Sequence, residues 1–194
     1  CRDKKKGKKM PGFTIHIAIA KEYAKKHEKE IKNMEEFIEG SIAPDYIPIE
    51  NKNISKSETH YGKWGDWSRD DQIIYLDKFL QDKKVNLTTD YWKGYFIHLL
   101  TDDYFDRIYF REEAKQAKKN HDTFHNDYDC LNAEMIKRYH VEVTEKIKKY
   151  MYEIDDKPKY LKLQKITQFI EEMSNINLEQ QVELIKQKRM EGME

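Results

Sequence analysis

Gly94 to Thr101, GYFIHLLT, carries no Lys, Arg, Asp or Glu in a chain whose residues are 37% charged. At helical pitch this run leaves no polar face, so it predicts a helix buried all round, at the centre of a domain. The surrounding stretch from Asp90 to Phe110, DYWKGYFIHLLTDDYFDRIYF, extends the aromatic pattern in both directions. In the middle of the run stands His98, and Asp102 follows four residues later. That spacing sets imidazole and carboxylate on one helical face about 5–6 Å apart, where both can reach one metal ion. The bland alternative is a hydrogen-bonded core histidine followed by an aspartate at the solvated end of the helix.

A helix of this kind needs others around it, and the composition supplies them. The 194 residues suit one domain with a sizeable core. Mean hydropathy is low at −0.99, yet 13 Tyr, 8 Phe and 3 Trp provide the apolar bodies that a disordered polar chain lacks. Lys and Arg together number 36, as do Asp and Glu, so net charge favours neither nucleic acid, an anionic membrane nor an acidic partner, and argues against strongly electrostatic binding. Abundant Lys, Glu and Ile with few Gly and Pro favour helices, and no convincing strand or repeat is present. The expected fold is all-α, a compact multi-helix single domain over residues 10–194, preceded by a basic tail or remnant over residues 1–9. Two cysteines without metal or disulfide spacing suit a reducing, cytoplasmic compartment, and no apolar run approaches the roughly 20 residues that span a bilayer.

Met10-Pro11-Gly12-Phe13 reads as a natural start, with Thr14 capping a first helix that carries His16 in its first turn. A second helix is expected over residues 28–39, stopped by Gly40, with residues 41–46 as a loop in which Asp45 is a turn residue after Pro44. Residues 51–67 read as a long ordered loop holding His60, with Tyr61, Trp64 and Trp67 as its aromatic anchors. Ser68, with Asp71 three residues on, opens a helix whose core contacts are Ile73, Ile74, Leu76, Phe79 and Leu80. Thr88 or Thr89 caps the central helix. His121 and His125 are four apart and could share a helical face, while Asp127 and Asp129 could supply oxygen ligands or cap a long helix over residues 131–152. Two further helices are expected over residues 159–173 and 178–190.

Taken together, His16, Asp45, His60, His98 and Asp102 form an ordered set of imidazoles and carboxylates that suits zinc or a similar divalent transition metal. The segments TIHIAIA, GSIAPDY, THYG and GYFIHLLTDDYF resemble the zinc-dependent phospholipase C family, which includes the clostridial alpha-toxin, and zinc nucleases of the same helical fold. The resemblance covers about Met10 to Asp129. It implies His98 and Asp102 as a metal pair, His60 as a loop ligand, and Asp45 as a bridging ligand or catalytic base. It further implies that His16 shares a metal with a chain terminus, and that His121 and His125 stand for an H-x3-E pair with His in place of Glu. Two or three zinc ions and a small phosphoester substrate follow from it. The rival readings are an HD-type phosphohydrolase, although His98 is followed by Leu99 rather than Asp, and a helical binding or scaffold protein with buried histidines.

Overall fold

The computed structural model describes residues 12–62 and 69–191, except for the side chains of residues 69–73 and of Lys146. The basic leader, Met10, Trp64, Trp67, the Ser68 cap and the side chains of Asp71 and Ile73 lie outside that range. Among the described residues every regular element is helical, and no helix is long and apolar enough to cross a membrane.

The centre of the fold is α5 (Asp90–Tyr104), and all of Gly94 to Thr101 is buried, as the charge-free run predicts. It packs most extensively on α2 (Met34–Glu50). The first helix, α1 (Phe13–Lys26), is nearly as enclosed, with Phe13 to Ala20 all buried. It starts after Gly12, whose φ of 79° is left-handed. Thr14 is therefore not a cap: its hydroxyl donates to Asn132 Oδ1 at 2.8 Å and ties α1 to α7 (His125–Tyr139).

The second helix departs most from its sequence reading. It begins at Met34, where the Asn33 side chain accepts from the Glu36 amide, and runs through Gly40, Pro44 and Pro48 to Glu50. Gly40 is not a stop but a contact point. A Cβ on Gly40 would lie 2.0 Å from the Tyr91 carbonyl oxygen, and one on Gly94 would lie 2.0 Å from that of Phe37. The two glycines face opposite backbones at the α2/α5 crossing, which brings the helices closer than side chains would permit. Asp45 consequently sits on a helix, buried, rather than in a turn. Each proline withholds one amide from the helix ladder, so a carbonyl one turn back needs another donor. Pro48 spares the Pro44 carbonyl in this way, and the Thr59 hydroxyl donates to it at 2.7 Å.

The expected long loop contains a short helix, α3 (Lys56–Thr59), fixed by a complete capping box between Ser55 and Glu58. In α4 (Arg69–Gln81), Leu76 and Phe79 are buried, but Ile74 is exposed, contrary to the expectation that it packs in the core. Beyond Tyr104, α5 passes into a π-helical turn (Phe105–Tyr109) closed by a Phe110 amide to Phe105 carbonyl bond of 2.8 Å, and then into α6 (Arg111–Lys119). The expected long helix over residues 131–152 breaks at His140, whose left-handed φ of 49° ends α7 with a Val141 amide to Ile136 carbonyl bond. Only α8 (Glu145–Lys148) continues it. Then α9 (Leu163–Met173) packs on α1, and α10 (Leu178–Glu191) packs on α4.

Candidate metal centre

Three elements converge beside the middle of α5. α1 supplies His16 one turn after Gly12, α2 supplies Asp45 from the turn that begins at Pro44, and the C-terminal end of α3 supplies His60. They meet His98 and Asp102, which lie one turn apart on α5. His16, Asp45, His60 and His98 are all buried, while the Asp102 side chain keeps 28% exposure.

The ring orientations follow from the hydrogen bonds of the other nitrogens. His98 Nδ1 lies 2.7 Å from the Ser41 carbonyl oxygen, and His60 Nδ1 lies 2.8 Å from that of Lys56. A carbonyl only accepts, so each neutral ring carries its proton on Nδ1 and presents a lone pair at Nε2. Those two Nε2 atoms are 3.2 Å apart, and each is 3.4 Å from Asp102 Oδ2. The three atoms form a nearly equilateral triangle of electron-pair donors. A tetrahedral ion with bonds of about 2.0–2.1 Å spans ligand edges of about 3.3–3.4 Å, so the triangle has the size of one face of such a site. Asp45 Oδ1 stands 3.6 Å from His60 Nε2, at a similar spacing. On the other side of Asp102, Oδ1 is 3.4 Å from His16 Nε2, and the His16 ring stacks on that of His98 with centroids 3.9 Å apart. Asp102 thus faces three imidazoles. His16, His98 and Asp102 form one group able to hold a cation, and Asp45, His60 and His98 form a second.

Electrostatics reinforce this. Burial opposes the charge of Asp45, but Lys56, then His98 and His60, hold its carboxyl below the ordinary aspartate range. Burial likewise opposes the charge of Asp102, yet His98 and contacts with His16 and His60 hold it well below that range. Burial, and His98 beside it, lower the pKa of His16, which favours the neutral ring that a metal requires. Asp45, His16 and Asp102 border a cleft of about 150 Å³, walled opposite by Phe105, Phe124 and Tyr128. His60 and His98 lie behind that opening.

His125 and Asp106 also line the cleft. His121 does not. It occupies an exposed left-handed turn before α7, with φ 53°, so it shares no helical face with His125, which is the first residue of that helix. The sequence's one adjacent His-Asp pair, His121-Asp122, lies in this turn, with Asp122 bonded to Lys159 at 2.9 Å, away from the cleft. Asp127 is buried and structural: its carboxylate accepts the backbone amides of Lys159, Tyr160 and Leu161 at 2.8, 2.5 and 2.7 Å. Asp129 is buried in the same helix and does not line the cleft.

Asp106 is a cleft residue that the sequence reading missed, although its spacing of four from Asp102 repeats that of Asp102 from His98. In a plain α-helix each step of four advances about 40° around the axis, which carries the third residue off the face of the first. The wider π turn winds more slowly and offsets the drift. Asp106 meets solvent within the cleft, while the protein enclosing it and the carboxylates of Asp102 and Asp103 push its pKa up to about 7.

The fold and this site define a helical protein with buried His/Asp clusters that can coordinate a divalent metal ion. No family model matches the chain, and comparison with curated proteins and with solved structures gives no significant match.

Proposed function

We propose that the protein is a metal-dependent hydrolase of phosphoesters, with His60, His98, Asp102 and Asp45 holding one ion and His16 joining Asp102 at a second. The observation that carries this reading is the donor triangle of His60, His98 and Asp102, sized for a tetrahedral ion, with Asp102 lining an open cleft and the two imidazoles behind it. A structural zinc site is closed by protein on all sides, whereas a catalytic one keeps a position for water or substrate. The chemistry of the donor set, nitrogen and oxygen without thiolate, suits zinc among the divalent transition metals.

A bound divalent ion supplies Lewis acidity toward a phosphoryl oxygen and lowers the pKa of water to near neutrality. The rest falls to the chain. Among the described residues the cleft lining presents the carboxylates of Asp45, Asp102 and Asp106 with no Lys or Arg, so bound cations offset this charge for a phosphate anion to enter. Asp45, held ionised on the cleft wall, orients the attacking water through a hydrogen bond. Its lowered pKa suits that role and cation binding better than outright proton acceptance. Burial, with Asp106, Asp102 and Asp45 nearby, raises the Tyr128 pKa well above the ordinary value, so its hydroxyl stays a donor facing the substrate.

The HD-type alternative loses support, since the His121-Asp122 pair lies outside the cleft. The scaffold reading is separated by metal analysis of the purified protein, followed by hydrolysis assays with added zinc on a phosphodiester, a phosphomonoester and a short-chain phospholipid. With Asp45→Asn, turnover of the responding substrate falls by about 100-fold or more, since the change removes both the charge that helps hold the ion and the group that orients the water. A folded protein that takes up no divalent metal, or an Asp45→Asn protein as active as wild type, rejects the reading.

A further inference from the structure

The ammonium group of Lys56 reaches the cluster although nothing in its sequence context marks it. Its Nζ lies 2.5 Å from Asp45 Oδ1, the same oxygen that stands 3.6 Å from His60 Nε2. The pair is largely enclosed, the side chains being 18% and 3% exposed. Lys56 does not line the cleft while Asp45 does, so the ammonium approaches the carboxylate from behind. The backbone of the same residue orients the neighbouring ligand candidate, since its carbonyl accepts from His60 Nδ1. Both contacts issue from the first residue of α3, a helix held by its capping box and by the Thr59 hydroxyl bond to Pro44. The cation is therefore delivered from a fixed platform.

Burying a carboxylate such as Asp45 without a partner charge is costly, and Lys56 offsets that cost. A divalent ion drawn to the same oxygen meets this positive charge already in place, and like charges at such range repel strongly in an enclosed site. We infer that Lys56 is a tethered counter-cation: it occupies Asp45 Oδ1 in the metal-free protein and competes with the divalent ion for that oxygen, which sets the affinity of the site. Lys56 is on this account a positioning residue, and the inference rests on the metal-site reading above. Its consequence is a folded, preorganised metal-free protein whose ion exchanges more readily than the donor set alone would allow.

The test is calorimetric titration of metal-free protein with zinc, alongside the rise in Tm on zinc addition, for wild type, Lys56→Met, Lys56→Gln and Lys56→Arg. Competition predicts that Met and Gln bind zinc at least about tenfold more tightly, the scale on which groups behind the ligands move metal affinity. Both should show a lower Tm without metal and a larger rise with it. Arg, which keeps the charge, should stay near wild type. Gln keeps a polar end group without the charge and gives the answer if Met does not fold. Zinc binding by wild type with equal or weaker binding by the neutral variants overturns the competition and leaves the metal site standing. An absence of zinc binding in wild type and all variants overturns both.

Discussion

Asp102→Asn is the substitution on which the geometry makes its sharpest demand. The carboxylate faces His60 and His98 through Oδ2 and His16 through Oδ1, each at 3.4 Å, so one side chain serves both candidate ion positions. Asparagine keeps the shape but removes the charge and turns one oxygen into an amide that cannot ligate. Removing a group that merely supports a ligand costs about 10- to 100-fold in metal affinity, so loss of the ligand itself should weaken binding by about 100-fold or more. At free zinc about 100 times the wild-type Kd, binding stabilises wild type by about 2.7 kcal/mol. In a domain of this size each kcal/mol moves Tm by about 2–4 °C, so zinc should raise wild-type Tm by about 5–11 °C. At the same zinc concentration a 100-fold weaker variant gains only about 0.4 kcal/mol, a rise of about 1–2 °C. Comparing the zinc-induced shift within each protein, rather than absolute Tm, removes any effect of the substitution on the metal-free fold. Differential scanning fluorimetry gives the shifts, and metal analysis after desalting gives the stoichiometry. An Asp102→Asn protein with wild-type stoichiometry and an undiminished shift would refute the triangle as a metal site.

Gly94→Ala inserts a Cβ 2.0 Å from the Phe37 carbonyl oxygen and 3.0 Å from the Ser41 amide nitrogen, so α2 and α5 must separate. Overpacking of this kind costs about 1–3 kcal/mol, read in urea denaturation, and zinc affinity should fall with it because Ser41 orients His98. Unchanged stability would show the crossing to be looser than described. Asp106→Asn tests the cleft carboxyl without metal. With its folded pKa up at about 7 against an ordinary 3.8, Asp106 contributes stability that is fully present below about pH 3.8 and lost as pH rises through about 7. The wild-type urea midpoint should thus fall between pH 5 and pH 8 relative to that of the variant, whereas parallel curves would place Asp106 at its ordinary pKa.

The charge-free run could be read from sequence because burying every face of a helix over about two turns removes charged residues from all of them, and the few Gly, Pro and strand signals nearby leave helix as the reading. The His98/Asp102 pair was legible for a related reason: spacing of four on an assured helix fixes a shared face. What failed were signals with two physical meanings. Gly40 stops a helix if the chain turns left-handed there, but it also lets a helix approach another backbone, and only the position of Tyr91 distinguishes the two. Pro44 and Pro48 ordinarily argue against a helix interior, yet here Thr59 satisfies the Pro44 carbonyl that Pro48 leaves without an amide. His140 breaks α7 in a conformation that glycine or asparagine would have announced. The same ambiguity governs the site itself. His121 and His125 have the spacing of a ligand pair, but a turn separates them, while Asp106 lines the cleft from a π turn that the sequence does not announce. Lys56 shows the limit most clearly. No spacing rule links it to Asp45, and the partnership depends on how α3 docks, through the Thr59 hydroxyl on the Pro44 carbonyl and the Tyr95 hydroxyl on the Thr59 carbonyl. Groups that bind a metal directly leave a pattern in sequence because chemistry restricts their type, whereas a group that tunes the charge behind them is identified only by where the fold puts it.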